Sequence, residues 1–142
     1  MKSARRRSRE FAMQGLYSWL LAGQPASDIA RQLETSRGFD RADGVYFHAL
    51  LSGAIEQQGE LEQALAPCLD RKLKELSPVE RAILLLGAWE LKNMPEVPYR
   101  VVINEGVDLA KSFGGTDGYK YVNGVLDKLA KSVRAQEASA SA

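Results

Sequence analysis

The chain has 142 residues, 45% hydrophobic and 26% charged, with 19 basic side chains against 18 acidic ones. That size and apolar content suit one globular domain burying roughly 68–70% of its unfolded surface, and they exclude a wholly disordered chain. A single cysteine, Cys68, and a single histidine, His48, exclude an internal disulfide, a Cys-rich zinc site and a His-pair metal site, and the longest apolar run, Ala82–Trp89, is too short to cross a bilayer.

The first segment predicts a helix from about Ala4, with Ala12, Leu16, Trp19 and Leu20 on one face and Gly23-Gln24-Pro25 as its stop. Arg5 and Arg9 extend that apolar stripe upstream, so the stripe turns basic at one end. A short helix follows over about Ser27–Glu34, and Ser36–Asp40 reads as a loop. A long third helix is expected over about Arg41–Leu65, on the spacing of Phe47, Leu50, Leu51, Ala54, Ile55, Leu61 and Leu65. Leu69, Leu73 and Leu76 suggest a further turn or two. Ser77-Pro78-Val79-Glu80 is the strongest helix start in the chain, and the apolar run behind it predicts a central helix, closed by Pro95 and Pro98. A fifth helix over about Pro98–Phe113 should stop at Gly114-Gly115. A sixth, capped by Thr116 or Asp117, carries Val122, Val125, Leu126, Leu129 and Val133 inward. The expected architecture is all-α, six to seven helices on one core spanning 1–134, with 135–142 a disordered tail.

The charge is uneven along the chain. Residues 1–10 carry Lys2, Arg5, Arg6, Arg7 and Arg9 against Glu10 alone, whereas the rest is mildly acidic. The planar guanidinium forks suit phosphate oxygens, and a nucleic-acid backbone is their natural ligand; a solvated, frayed terminus accounts for the charge equally well. Basic residues before Phe11–Gly23 loosely resemble a signal sequence, but Glu10, Gln14 and Ser18 interrupt it, so a cytoplasmic chain that keeps its arm is expected. A second feature is the glycine-rich turn Phe113–Tyr121. Its amides, Lys120 and aromatic rings can meet bases, or the glycines and Asp117 serve as ordinary caps and the rings as filler. A third is Glu75 with Ser77–Glu80, whose carboxylates complement a helix dipole and offer an acidic patch beside Tyr17. Nucleotide-binding, hydrolase and metalloprotease motifs are all missing. His48 reads as a surface helix residue and Cys68 as a small apolar filler, so neither an enzyme nor a cofactor is expected.

Taken in order, several motifs carry a resemblance. They are A-R-R-R-S-R-E at Ala4–Glu10, Q-G-L-Y at Gln14–Tyr17, S-P-V-E-R-A-I-L at Ser77–Leu84 and V-P-Y at Val97–Tyr99. I-N-E at Ile103–Glu105, L-A-K-S-F-G at Leu109–Gly114 and Y-V-N-G-V-L-D-K at Tyr121–Lys128 complete the series. At these spacings the chain resembles the NusB family of bacterial transcription antitermination factors. The resemblance implies two packed three-helix bundles. It implies a non-enzymatic role: binding boxA RNA of nascent ribosomal transcripts together with NusE, a small-subunit ribosomal protein, in a complex with other Nus factors on RNA polymerase. It places RNA contacts at Arg5, Arg6, Arg7 and Arg9, with Lys2 beside them, and at Phe113, Gly114, Asp117, Lys120 and Tyr121. It places NusE contacts at Tyr17, Glu80 and Glu75. Some members of the family dimerise, so a homodimer stays open, as does the rival reading of a helical protein–protein adaptor whose arm binds an acidic protein. The chain departs from the family pattern at Cys68, Leu85, Trp89 and Gly106.

Overall fold

The computed structural model describes residues 2–140. Its helices are α1 (Ala4–Ala22), α2 (Ala26–Glu34), α3 (Gly44–Glu56), α4 (Gln58–Leu65), α5 (Pro78–Asn93), α6 (Tyr99–Phe113), α7 (Gly118–Val133) and α8 (Ala135–Ala140). Short 3-10 turns at Phe39–Arg41, Ala66–Cys68 and Leu73–Glu75 link them, and no strand occurs among the described residues. The all-α class holds, with more helices than the expected six to seven.

Helix ends follow local chemistry. Ser3 accepts a hydrogen bond from the Arg6 amide, Asp43 from that of Tyr46 and Ser77 from that of Glu80, each satisfying a donor that a helix start leaves open. Gly23 ends α1 in the left-handed region at φ 67°, where a side chain would be strained. The expected third helix over Arg41–Leu65 is divided. It begins at Gly44 and is interrupted at Gln57, whose ψ of 15° leaves the helical range. Gly53 and Gly59 flank the break and weaken helical preference there, and Asn93 donates to the Gln57 side chain at 3.2 Å. The apolar spacing passes over this break because Leu61 and Leu65 resume the buried stripe in α4.

Helix α5 is the axis of the fold. Its residues Ala82–Leu91 are all buried, and it packs against α1, α3, α4, α6 and α7. The α1–α2–α3 group lies to one side and α6–α7 to the other, with α5 shared between them. Leu126 of α7 sits between two glycines: a Cβ on Gly87 or on Gly106 would stand 2.9 Å from one of its methyls. The departure at Gly106 thus serves close packing of α6 on α7. Trp89, the departure on α5, lies so close to Gly53 that a Cβ there would be 2.1 Å from its Nε1.

The stretch expected as a disordered tail is helical over Ala135–Ala140, and Ser141 and Ala142 lie outside the described residues. Arg134 is buried and donates to the carbonyls of Leu91 (2.7 Å) and Met94 (2.8 Å) at the end of α5 and of Val97 (3.0 Å) in the loop that follows. Glu137 accepts from Arg134 at 2.7 Å and from the Tyr99 amide at 2.9 Å. One cation thus closes the open carbonyls of α5 while one anion caps the start of α6.

Candidate nucleic-acid interface

The basic arm is the first two turns of α1, and its side chains divide by the face they leave from. Arg9 points inward and is 5% exposed. Its guanidinium holds Glu90 through two hydrogen bonds at 2.8 and 2.9 Å and Glu105 through a third at 2.9 Å. Tyr46 donates to the same Glu90 carboxylate at 2.5 Å. Burial opposes the charge on Arg9, but the bonds and charge of Glu90 outweigh it, and its pKa is raised. Burial and then the charge of Glu90 push the Tyr46 phenol up, so it stays a donor. The expectation that Arg9 offers a free fork to phosphate is therefore corrected. It lies on the buried stripe that continues through Ala12 and Leu16, and its partners are carboxylates of α5 and α6.

Arg6 is half-buried and donates to both Glu105 and Asp108 of α6. The Glu105 hydrogen bond is the chief cause of its raised pKa. Arg5 is exposed, its guanidinium 4.3 Å from the centre of the Tyr46 ring. Lys2 pairs with Glu10 at 2.9 Å. Arg7 is half-exposed and enters no ion pair among the described residues. The arm thus presents Lys2, Arg5, Arg7 and part of Arg6 outward, over an acid-anchored base.

The turn between α6 and α7 lies at the same end of α6 as its last residue, Phe113, which is 41% exposed. Gly114 follows in an extended conformation, and a Cβ there would stand 2.7 Å from the Ala110 carbonyl oxygen, so glycine is required by close approach. Asp117 precedes α7 but caps no amide with its side chain, contrary to expectation; it pairs with Lys120 at 3.4 Å. Tyr121 is half-buried beneath Arg71, whose guanidinium is 4.7 Å from its ring centre, and burial pushes its pKa up. Tyr119 is flanked by Lys111 at 5.0 Å and Lys120 at 6.0 Å. A cation-and-ring surface therefore runs along this turn.

Glu80 accepts a hydrogen bond from the Ser77 hydroxyl at 3.1 Å, and its other oxygen lies against the first residue of α7, 2.7 Å from where a Cβ on Gly118 would stand. Tyr17 is half-buried on α1, and Glu75 is exposed in its 3-10 turn. Among the described residues no hydrogen bond joins Tyr17 to either acid; α1, which carries Tyr17, packs on α5, which carries Glu80.

Lys2, Arg7 and Phe113 line one depression together with Arg37 of the α2–α3 connection. Sequence reasoning passed over Arg37 and Arg71, which stand in loops without periodicity. It gave Glu90 no role and named Glu105 only within the I-N-E motif, although an arginine on an apolar stripe calls for a buried acid, and Glu90 follows directly on the apolar run of α5. Among the described residues no group of three His, Cys, Asp or Glu side chains can hold a metal, and no helix is long and apolar enough to cross a membrane.

The NusB family model matches residues 6–131. The transcription antitermination protein NusB of Paraburkholderia phytofirmans is 60% identical over 141 residues, covering 99% of this chain and 98% of that protein. Its counterpart in Paraburkholderia phymatum is 61% identical over 142 residues, covering 100% and 98%. Among solved structures, T. maritima NusB superposes with a TM-score of 0.82 at 27% identity, covering 92% of this chain and 93% of that one. A crystal structure of the antitermination factors NusB and NusE in complex with double-stranded RNA gives 0.80 at 26% identity, covering 89% and 96%. With the family model spanning most of its length and relatives sharing about 60% of its residues, the chain belongs to the NusB family.

Proposed function

We propose that this protein is a transcription antitermination factor that binds boxA RNA of nascent ribosomal transcripts together with NusE and joins the Nus complex on RNA polymerase. The observation that carries this reading is kinship along nearly the whole chain with proteins named for antitermination. A solved relative that holds both NusE and RNA supports it. The protein acts as a cytoplasmic adaptor, without catalysis or cofactor.

In this reading Lys2, Arg5, Arg7 and the outer part of Arg6 meet phosphates, and Arg9 acts through Glu90 and Glu105 by holding the helix that carries them. Phe113, Gly114, Asp117, Lys120 and Tyr121 form the second contact, where rings and polar groups meet bases. Tyr17, Glu75 and Glu80 face NusE. The two surfaces grip RNA together, since a body with a net charge of +1 attracts it weakly alone.

The test is binding of a short boxA RNA against a scrambled RNA, with and without NusE, at two salt concentrations. The expected result is selective binding strengthened by NusE, with log K falling against log salt at a slope of about −3 for roughly four neutralised phosphates. Equal binding of both RNAs, or a flat salt response, would leave a basic-armed protein adaptor in its place.

A further inference from the structure

Two regions far apart in sequence, the arm and the end of α6, meet in a depression of about 340 Å³. Lys2 and Arg7 come from the start of α1, Phe113 from the end of α6, and Arg37 with Gly38 from the connection between α2 and α3; Phe11 also lines it. That volume is within the range of small-ligand sites.

The lining is rigid where it is apolar. The Phe11 ring meets Phe39 edge to face at 5.2 Å, and Phe39 meets the fully buried Phe47 in the same way at 5.1 Å. Phe113, in contrast, leaves 41% of its surface in water. Gly38 has φ 90° with open space where a Cβ would be, so the glycine is there for the left-handed turn that brings Arg37 to the rim.

The cations are also distinctive. Arg6 and Arg9 spend their charge on carboxylates and Lys2 is held by Glu10, the one acid of the lining, whereas Arg7 and Arg37 enter no ion pair among the described residues. Two unpaired planar forks beside an exposed ring match a nucleotide, which offers phosphate oxygens to the forks and a flat base to the ring. An acidic peptide would answer the forks and leave the ring without a partner.

We propose that this depression is a single-nucleotide pocket, in which one base of a single-stranded RNA stacks on Phe113 while Arg37 and Arg7 hold the flanking phosphates. The proposal rests on the RNA-binding reading above and adds to it Arg37, Phe11 and Gly38. A base must leave its neighbours to enter, which favours unpaired RNA over duplex.

The test measures anisotropy of a labelled single-stranded boxA RNA in the presence of NusE, for the unaltered chain, R37A and F113L. A series of RNAs carries one abasic site at each position in turn. In the unaltered chain one abasic position should weaken binding about fivefold or more, as loss of a base–aromatic stack does. F113L should abolish that penalty. R37A should weaken all RNAs alike and shallow the salt slope by about 0.7, the share of one phosphate. Arg37 is exposed on a loop, so R37A carries the test even if F113L lowers stability. Unchanged affinity and slope in R37A, or an abasic penalty that persists in F113L, would overturn the pocket while leaving the RNA-binding reading intact. Displacement of RNA by polyglutamate at equal charge would assign the forks to an acidic protein and overturn it too. Failure of the unaltered chain to bind any RNA would remove the functional reading and the pocket with it.

Discussion

Arg9 shows how a residue type misleads when its surroundings are unknown. Four arginines in five positions look equivalent as charges, yet one of them is sealed against two acids and a phenol. Removing one partner of such a buried set leaves the others uncompensated, at a cost of about 3–5 kcal/mol. Arg9→Ala should therefore lower stability by about that amount in urea titration, whereas Arg7→Ala should leave stability within about 0.5 kcal/mol. An Arg9→Ala protein as stable as the parent would show that the carboxylates find water or other partners. RNA loss in an Arg9 variant is accordingly read as loss of the scaffold first.

Between helices, the governing quantity is distance of approach. Gly53 on α3 faces the indole of Trp89 on α5, and a Cβ would sit 2.1 Å from Nε1. The ring has nowhere to go, because Trp89 is 7% exposed and enclosed by the core. Gly53→Ala should cost roughly 1–3 kcal/mol or more despite the better helical preference of alanine, and thermal melting checks it. A gain in melting temperature would mean that α3 and α5 can separate without loss. The indole N–H lacks a hydrogen-bond partner among the described residues, so this contact is held by shape.

At the scale of the molecule, α8 ties the last described residues to the junction of α5 and α6. Glu137 accepts the Tyr99 amide and the Arg134 guanidinium, and these two bonds hold its pKa below the ordinary 4.5. A depressed carboxylate lends stability that is complete above 4.5 and is lost as pH falls through the lower folded value. The Tyr99 amide shift in an NMR titration should therefore move with a midpoint below 4.5, and Glu137→Gln should remove that transition. A midpoint at or above 4.5 would show that the clasp is open in solution. This clasp was not legible in sequence: 135–142 is small and polar, with no apolar stripe, and the order of Ala135–Ala140 comes from two ionic groups and backbone carbonyls. Most other helix bounds were legible because Ser77-Pro78, Gly23 and the spaced leucines act locally, but the break at Gln57 was not, since Leu61 and Leu65 resume the buried stripe beyond it. The interior of the arm and the loop residue Arg37 were not, since their meaning depends on what lies across from them in space.

The first turns of α1 are pinned from the side as well as from below. Asp43 donates its amide to the Ser8 hydroxyl at 2.9 Å and to the Ala4 carbonyl at 3.3 Å, and accepts from Ser8 at 2.7 Å, while its own carboxylate caps α3. The arginines are thus spokes on a hub that already belongs to another helix. A peptide copied from residues 1–12, or the same twelve residues grafted onto a foreign helix, would inherit the charges without their bearings. Such a transplant should hold RNA as any polycation does, with neither the register nor the partner selectivity of the parent. The segment is fixed as one unit with α3, α5 and α6, so a substitution at its inner positions disturbs all three.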